Sequence, residues 1–133
     1  MKYRFLDHTA DIKLQAFGKD KQEAFANAAL ALAHLICEKP VRAIELRTVE
    51  ATGHDDKQLL YAWLEQVLLL QQTEKFLLAE VKELSIEGNA LSATVLGDNA
   101  SSYALDEDVK AITYHDMEIK KEQEWTVQVV VDI

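Results

Sequence analysis

The segment FLDHTADIKLQAFG, residues 5–18, decides how the chain begins to fold. Its second half alternates apolar and polar residues, which places Ile12 and Leu14 on one face by the two-residue period of a strand. The first half interrupts that alternation with DHTAD, residues 7–11. This segment puts two carboxylates and an imidazole at the start of the strand. We therefore predict two short strands, over 2–6 and 10–17, on either side of an acidic break.

Two helix starts are indicated by the same local signal. Asp20 and Asp55 each stand three residues before a Glu or Gln, which is the spacing of a capping box. After each aspartate, apolar residues recur at the intervals of an amphipathic helix. The pattern predicts one helix over 21–37 and a second, more apolar helix that ends near residue 72.

The remaining sequence is typical of strands joined by short connections. The tetrapeptide EGNA supplies Gly88 and Asn89, the residue types that a tight hairpin turn requires. The polar stretch 97–108 is predicted to be a loop. Strands are predicted over 41–51, 76–86, 90–96, 109–120 and 124–132. The expected fold class is α+β: a largely antiparallel β-sheet with two amphipathic helices packed against it, in a single domain over residues 1–133.

The charge and the cysteine content of the chain exclude several classes of protein. Of the 133 residues, 14 are Lys or Arg and 23 are Asp or Glu, so the net charge is −9. Such a surface repels phosphate backbones, and we expect no direct, tight binding of nucleic acid. No secretory signal or membrane-spanning run is visible, and Cys37 is the one cysteine, which excludes an intramolecular disulfide and a cysteine-cluster metal site. A cytoplasmic location is expected.

The end of the chain suggests half of a cation site. The last predicted strand finishes with the carboxylate of Asp132 and the α-carboxylate of Ile133. Hard divalent cations prefer such oxygen ligands, although a solubilising terminal acid explains the same residues. If the strand over 10–17 lies beside the last strand, Asp11 and Asp132 would converge on one ion. The alternative for Asp11 is a turn-forming role, because aspartate bonds readily to local backbone donors.

Three basic residues are further candidates. His8 has three readings: a metal ligand, a general base, or a histidine that holds the loop by hydrogen bonds. His115 shares one strand face with Val109, Ala111, Thr113 and Met117. This pattern indicates a half-buried core face and favours a structural, hydrogen-bonded histidine. Lys110, on the opposite face, would contact a partner or a phosphate, or lie solvated beside a carboxylate. A nucleophile triad, a glycine-rich phosphate loop and a zinc motif are all missing from the sequence.

Four motifs in order give the chain a resemblance to the archease family along essentially its full length. They are DHTADI at 7–12, LLYAWLEQVLLL at 59–70, VKAITYH at 109–115 and VVVDI at 129–133. The resemblance implies an accessory protein of the RtcB-type RNA-splicing ligase. Such a protein promotes transfer of a guanylyl group from GTP to the ligase's active-site histidine, so that the ligase turns over repeatedly, and it is not itself an enzyme.

The resemblance also implies a set of site residues. It places the family's metal site on Asp11, Asp132 and Ile133. It also carries over His8, Lys110 and His115 as residues that contact the partner or have another functional role. An oxygen-only donor set favours calcium first and magnesium second.

Two other function classes compete with a ligase activator. One is a metal-dependent hydrolase that uses Asp11 and Asp132 directly, which requires an open coordination position and an activated water. The other is a chaperone-like scaffold protein in which the ion is structural. An exposed apolar patch around the second helix would favour the scaffold.

Overall fold

The computed structural model describes residues 1–8 and 11–133, with residues 7 and 8 described by their backbone alone. This part of the chain forms two helices and eight strands, in the order β1-β2-α1-β3-α2-β4-β5-β6-β7-β8. The helices are α1 (Lys21–Ile36) and α2 (Asp56–Glu74), and one 3₁₀ turn spans Ala100–Ser102. The strands are β1 (Tyr3–His8), β2 (Asp11–Gly18), β3 (Glu45–Thr52), β4 (Phe76–Glu87), β5 (Ala90–Asn99), β6 (Ala111–Ile112), β7 (Glu118–Lys121) and β8 (Trp125–Asp132).

The strands divide between two antiparallel sheets. The first sheet has the order β1-β2-β8-β6, with β7 also paired to β8, and the second has the order β3-β5-β4. Helix α1 contacts β2 of the first sheet and β4 of the second, while α2 contacts β3 and β4 on one side and β6 on the other. The helices therefore form a layer between the sheets. The predicted α+β class is confirmed, and the single predicted sheet is replaced by two.

Both predicted helix caps are present. The Asp20 carboxylate accepts a hydrogen bond from the backbone N–H of Glu23 at 2.8 Å, and Asp55 accepts one from Gln58 at 2.8 Å. In return the Glu23 side chain accepts a bond from the N–H of Lys19, the residue before the cap, so side-chain bonds run in both directions across the helix start. Sequence alone therefore located both helix starts within a residue.

The first sheet has an inner face toward the helices and an outer face away from them. Leu14, Ala16, Val127, Val129 and Val131 form the inner face, and all five are fully buried in the core. The residues that alternate with them lie on the outer face, including Lys13 and Gln15 of β2 and Gln128 and Asp132 of β8.

The predicted strand over 109–120 is wrong, because a turn interrupts it. Six steps along the chain from Ile112 to Glu118 match only three steps in β8, from Val131 to Gln128. The extra residues form the turn at 113–117, in which Asp116 has a left-handed φ of 51°. Alternation in the sequence continued through this segment and concealed the turn.

Two other boundaries differ from the predictions. Strand β5 continues through Asn99 into the stretch expected to be a loop, because Asp98 and Asn99 still pair with β4. Strand β3 begins only at Glu45, four residues later than expected. By contrast, the turn between β4 and β5 is as predicted, with Gly88 at a φ of 59°.

Neither of the two described helices, α1 and α2, combines the length and the apolar character that a membrane-spanning helix requires.

Candidate functional site

The two carboxylates from opposite ends of the chain lie side by side. Strands β2 and β8 are antiparallel neighbours, and their register places Asp11 directly opposite Asp132. Such residues project from the same face with Cβ atoms about 5 Å apart. Asp132 is exposed, Asp11 is half-buried with its Oδ1 atom shielded from solvent, and Ile133 packs against the core. The condition on which the sequence analysis depended, that these two strands are neighbours, is met, and cation binding stays a prediction.

The chemistry of this acidic pair fits a hard cation. Like charges directly opposite one another on neighbouring strands are unfavourable, and a bound cation would offset that repulsion. Among the side chains that the structure describes, those of residues 1–6 and 11–133, no three from His, Cys, Asp or Glu are grouped to hold a metal. In the predicted donor set the α-carboxylate of Ile133 would join the two aspartates, and calcium and magnesium both accept further oxygen ligands from backbone carbonyls and water.

The three basic candidates have different outcomes. The His8 side chain lies outside the described part of the structure, although the His8 backbone pairs with Asp11. Lys110 is exposed, and its backbone N–H donates to the carbonyl oxygen of Asp132 at 2.8 Å, which brings it beside the acidic pair. Their proposed roles toward a partner stay predictions.

The prediction that His115 is half-buried is wrong. Its side chain is 62% exposed, because the turn at 113–117 takes it out of the strand alternation. Its Nε2 atom lies 3.5 Å from Oδ2 of Asp116. The same carboxylate oxygen lies 3.5 Å from Nζ of Lys13 on β2. His115 is therefore a surface residue whose turn is tied to the outer face of the sheet.

A chain of amide groups holds this turn, and sequence reasoning missed it. The Gln128 side chain is almost fully buried, and its Nε2 atom donates to the backbone oxygen of Asp116 at 2.8 Å. Its Oε1 atom accepts from Gln15 at 2.7 Å, and the Gln15 Oε1 atom accepts from Arg4 at 2.6 Å. A glutamine within the apolar run VQVVV is the signal that could have revealed this network.

A further carboxylate with a shifted pKa lies in the second sheet. Hydrogen bonds from the Tyr103 hydroxyl and from the backbone N–H of Asn99 lower the pKa of Asp98, and Arg42 lowers it further. The Tyr103 oxygen lies 2.7 Å from Asp98, and the same hydroxyl accepts from the backbone N–H of Arg42. These contacts fasten the segment before β3 to the end of β5, so their role is structural.

The fold and the site define a small α+β protein with two sheets around a helix pair and two aspartates paired at one sheet end. A family model described as "Archease protein family (MTH1598/TM1083)" matches residues 3–133, so the chain belongs to the archease family. It is 37% identical over 139 residues to protein archease of Methanosarcina barkeri. The aligned region covers 98% of this chain and 95% of the relative.

The fold is also similar to that of a solved structure. The solution structure of protein 1598 from Methanobacterium thermoautotrophicum has a TM-score of 0.84 and 34% identity, and it covers 98% of both chains. The crystal structure from Thermotoga maritima, described as "an archease, possible chaperone (TM1083)", has a TM-score of 0.65. At 19% identity over 96% of this chain and 94% of that one, this second likeness shows the shared fold.

Proposed function

We propose that this protein activates an RtcB-type RNA-splicing ligase in the cytoplasm. It would promote guanylylation of the ligase from GTP and so allow repeated turnover in tRNA splicing or RNA repair. The observation that supports this best is the pairing of Asp11 with Asp132 beside Lys110, because the family resemblance assigns function to these three residues. The protein performs no chemistry of its own in this proposal.

The proposed mechanism is a shift in the ligase's conformational population. The acidic pair lies where β2 begins and β8 ends, and it fixes the surface that meets the ligase. Docking favours the ligase conformation that accepts the guanylyl group, because a partner that binds one state better raises its population. The net charge of −9 suits a ligase surface built to hold RNA, which is expected to be basic.

A divalent cation is part of the proposal, with calcium ahead of magnesium. Asp11, Asp132 and the α-carboxylate of Ile133 would hold it. When bound, it supplies positive charge that offsets the carboxylates and stiffens the end of β8. Calcium at a concentration of a hundred times its Kd should stabilise the fold by about 2.7 kcal/mol, measured as a shift in thermal unfolding. An Asp11→Asn variant that responds to calcium like the native protein would contradict this site.

Multiple-turnover RNA joining tests the proposed activity. The assay uses the RtcB-type ligase of the same organism with GTP, with and without this protein. We expect strong stimulation by the native protein and little by Asp11→Asn, which keeps the shape of the side chain and removes its charge. Glu87→Gln, an exposed carboxylate at the end of β4, is the matched control and should stimulate fully. No stimulation of an active ligase by the native protein would overturn the proposal.

An addition after Ile133 tests the role of the chain end. A short tag there should impair stimulation of the ligase, because it removes the α-carboxylate from the proposed donor set. The same tag placed before Met1 serves as the control. Equal stimulation by the two tagged proteins would remove Ile133 from the site.

A chaperone-like role is the second candidate, and one observation favours it. Leu69, Leu105 and Tyr114, on and beside α2, are large apolar residues that are 39 to 52% exposed. The test is suppression of aggregation of a heat-denatured client protein, measured by light scattering without any ligase. Activity there, together with no effect on RNA joining, would favour the scaffold. RNA cleavage by the isolated protein with calcium or magnesium would instead favour the hydrolase.

A further inference from the structure

Two tyrosine rings from distant parts of the chain stack at the surface. Tyr61 of α2 and Tyr114 of the turn at 113–117 have ring centroids 4.4 Å apart and planes within 11°. Tyr114 is nevertheless 52% exposed, while Tyr61 is half-buried. Because Tyr61 covers one face of the Tyr114 ring, the exposed area belongs to the opposite face and the ring edge. The pair therefore offers solvent an aromatic surface held in a fixed orientation.

A carboxylate lies beside these rings. Glu65 follows Tyr61 by four residues on α2, so the two side chains share one helix face. Burial raises the pKa of the Tyr61 phenol, and the nearby Glu65 carboxylate raises it further. An aromatic face next to a carboxylate is the arrangement that receives a guanidinium or ammonium group, by a cation–π contact on one side and an ion pair on the other.

The surface continues along α2. The Gln72 side chain donates to the carbonyl oxygen of Val109 at 3.3 Å, which places the segment 105–114 alongside the helix. We call this surface, formed by one side of α2 from Tyr61 to Gln72 and by residues 105–114, the tyrosine strip. It carries the side chains of Leu69 and Leu105, which are 39% and 45% exposed.

The tyrosine strip carries net negative charge. Its acidic residues are Glu65, Asp106, Glu107 and Asp108, against the single lysine Lys110. It is also continuous with the acidic pair, because Lys110 is bonded through its backbone to Asp132 and β6 pairs with the end of β8. A partner that reaches the acidic pair would therefore meet the strip as part of the same contact.

We infer that the tyrosine strip is a docking surface for the protein partner, and that Tyr114 and Glu65 receive an arginine or lysine side chain of that partner. The inference rests on the proposed function, in which the partner is the ligase. It adds the chemistry of the contact: an aromatic face that stacks on the cation and a carboxylate that pairs with it. The exposed side chains of Leu69 and Leu105 supply the desolvated part of the interface.

Two substitutions at one position separate cation stacking from simple apolar burial. The affinity of each variant for the ligase is measured by titration calorimetry. Tyr114→Leu should weaken binding about tenfold, whereas Tyr114→Phe, which keeps the ring, should bind within about twofold of the native protein. Leu46→Ala is the matched control, since Leu46 is also 52% exposed but lies in the second sheet. It should bind like the native protein.

Glu65→Gln tests the ionic half of the contact without disturbing the rings. It should weaken binding about threefold at low salt and flatten the dependence of affinity on salt concentration, because an ion pair is screened. Thermal unfolding of each variant shows whether the fold is intact. If Tyr114→Leu is less stable than the native protein, its weaker binding could reflect a disturbed fold. The affinity of Glu65→Gln then tests the docking surface by itself.

The possible outcomes distinguish this inference from the proposed function. If the native protein binds and stimulates the ligase, and Tyr114→Leu and Glu65→Gln bind as tightly, the docking surface is wrong and the activator role stands. If Tyr114→Phe weakens binding as much as Tyr114→Leu, the hydroxyl rather than the ring makes the contact, and the cation-stacking chemistry is overturned. If the native protein neither binds nor stimulates the ligase, both proposals fail.

Discussion

The inner and outer faces of the first sheet are built from the same strands but are held by different forces. On the inner face, Leu14 and Val129 pair in register and are fully buried against the helices. On the outer face, Lys13 and Gln128 make directed contacts to one residue, Asp116. Apolar burial depends on area and tolerates many partners, whereas a buried amide needs a specific acceptor. The inner face thus provides stability, and the outer face positions the turn near the acidic pair.

Truncation on the inner face should have the largest effect on stability. Leu14→Ala removes a fully buried side chain and leaves a cavity, so the free energy of unfolding should fall by about 2–5 kcal/mol. Urea denaturation measures the change. Leu46→Ala, at an exposed position, should change it by less than about 0.5 kcal/mol. A loss below about 1 kcal/mol for Leu14→Ala would mean that the inner face is not a rigid, closely packed core.

Removing the buried Gln128 amide from the outer face should lower the free energy of unfolding by less than Leu14→Ala does. Its effect should be confined to the turn at 113–117. Gln128→Ala leaves the Gln15 amide and the Asp116 carbonyl without their partner, which should cost about 1–3 kcal/mol. Hydrogen exchange at the amide of Met117, which bonds to Tyr114 across the turn, should accelerate more than exchange in β2. Uniform acceleration in both places would show that Gln128 supports the whole sheet rather than the turn.

The second sheet offers a directed contact whose strength depends on pH. Hydrogen bonding lowers the pKa of Asp98, so its ionised form stabilises the fold above the ordinary carboxyl pKa of about 3.9. That contribution is lost as pH falls through the lowered pKa. Tyr103→Phe removes the shortest bond to Asp98, so the variant should be less stable than the native protein at pH 7.

The difference in stability between the native protein and Tyr103→Phe should become smaller as pH falls below about 4. The native protein then loses the contribution of ionised Asp98 that the variant already lacks. Thermal unfolding from pH 7 to pH 2 follows this difference. A difference in unfolding temperature that stays constant over this range would show that the tyrosine acts by packing alone.

The smallest effect is expected from the partly exposed ion pair on the outer face. Lys13→Met removes the contact with Asp116, where the carboxylate is 45% exposed and the distance is 3.5 Å. Such pairs contribute between zero and about 1 kcal/mol. Urea denaturation at low and high salt should show a small loss that shrinks with salt. A loss of stability as large as that of Gln128→Ala would show that the Lys13–Asp116 ion pair stabilises the turn as much as the Gln128 amide does.

Local sequence predicted those parts of the fold that are fixed locally. The two helix starts depend on caps only three residues long, and the hairpin between β4 and β5 depends on the turn at Gly88. The division into two sheets was not predictable in this way. Alternation shows which face of a strand is buried, but it does not identify the neighbouring strand.

The candidate site shows the same limit. The pairing of Asp11 with Asp132 was predicted only on the condition that their strands are neighbours, and that condition is met. The turn at 113–117 was missed because Gln128 and Lys13, which hold it, are distant in the sequence. His115 was consequently assigned to the wrong environment.

The direction of the two helices gives the molecule an electrical polarity. An ion pair of 3.0 Å between Lys21 and Asp56 joins their first turns. At the other end of α1, the carbonyl oxygen of Ile36 accepts a bond from the N–H of Asp106. Near the end of α2, Gln72 donates to the carbonyl oxygen of Val109. Both C-terminal ends therefore lie beside the segment 105–114, which is bonded to Asp132 through Lys110. Each helix carries about half a negative charge at its C-terminal end. Both dipoles therefore add to the field of the aspartates, so a cation or basic partner is drawn to this end of the protein before any contact forms.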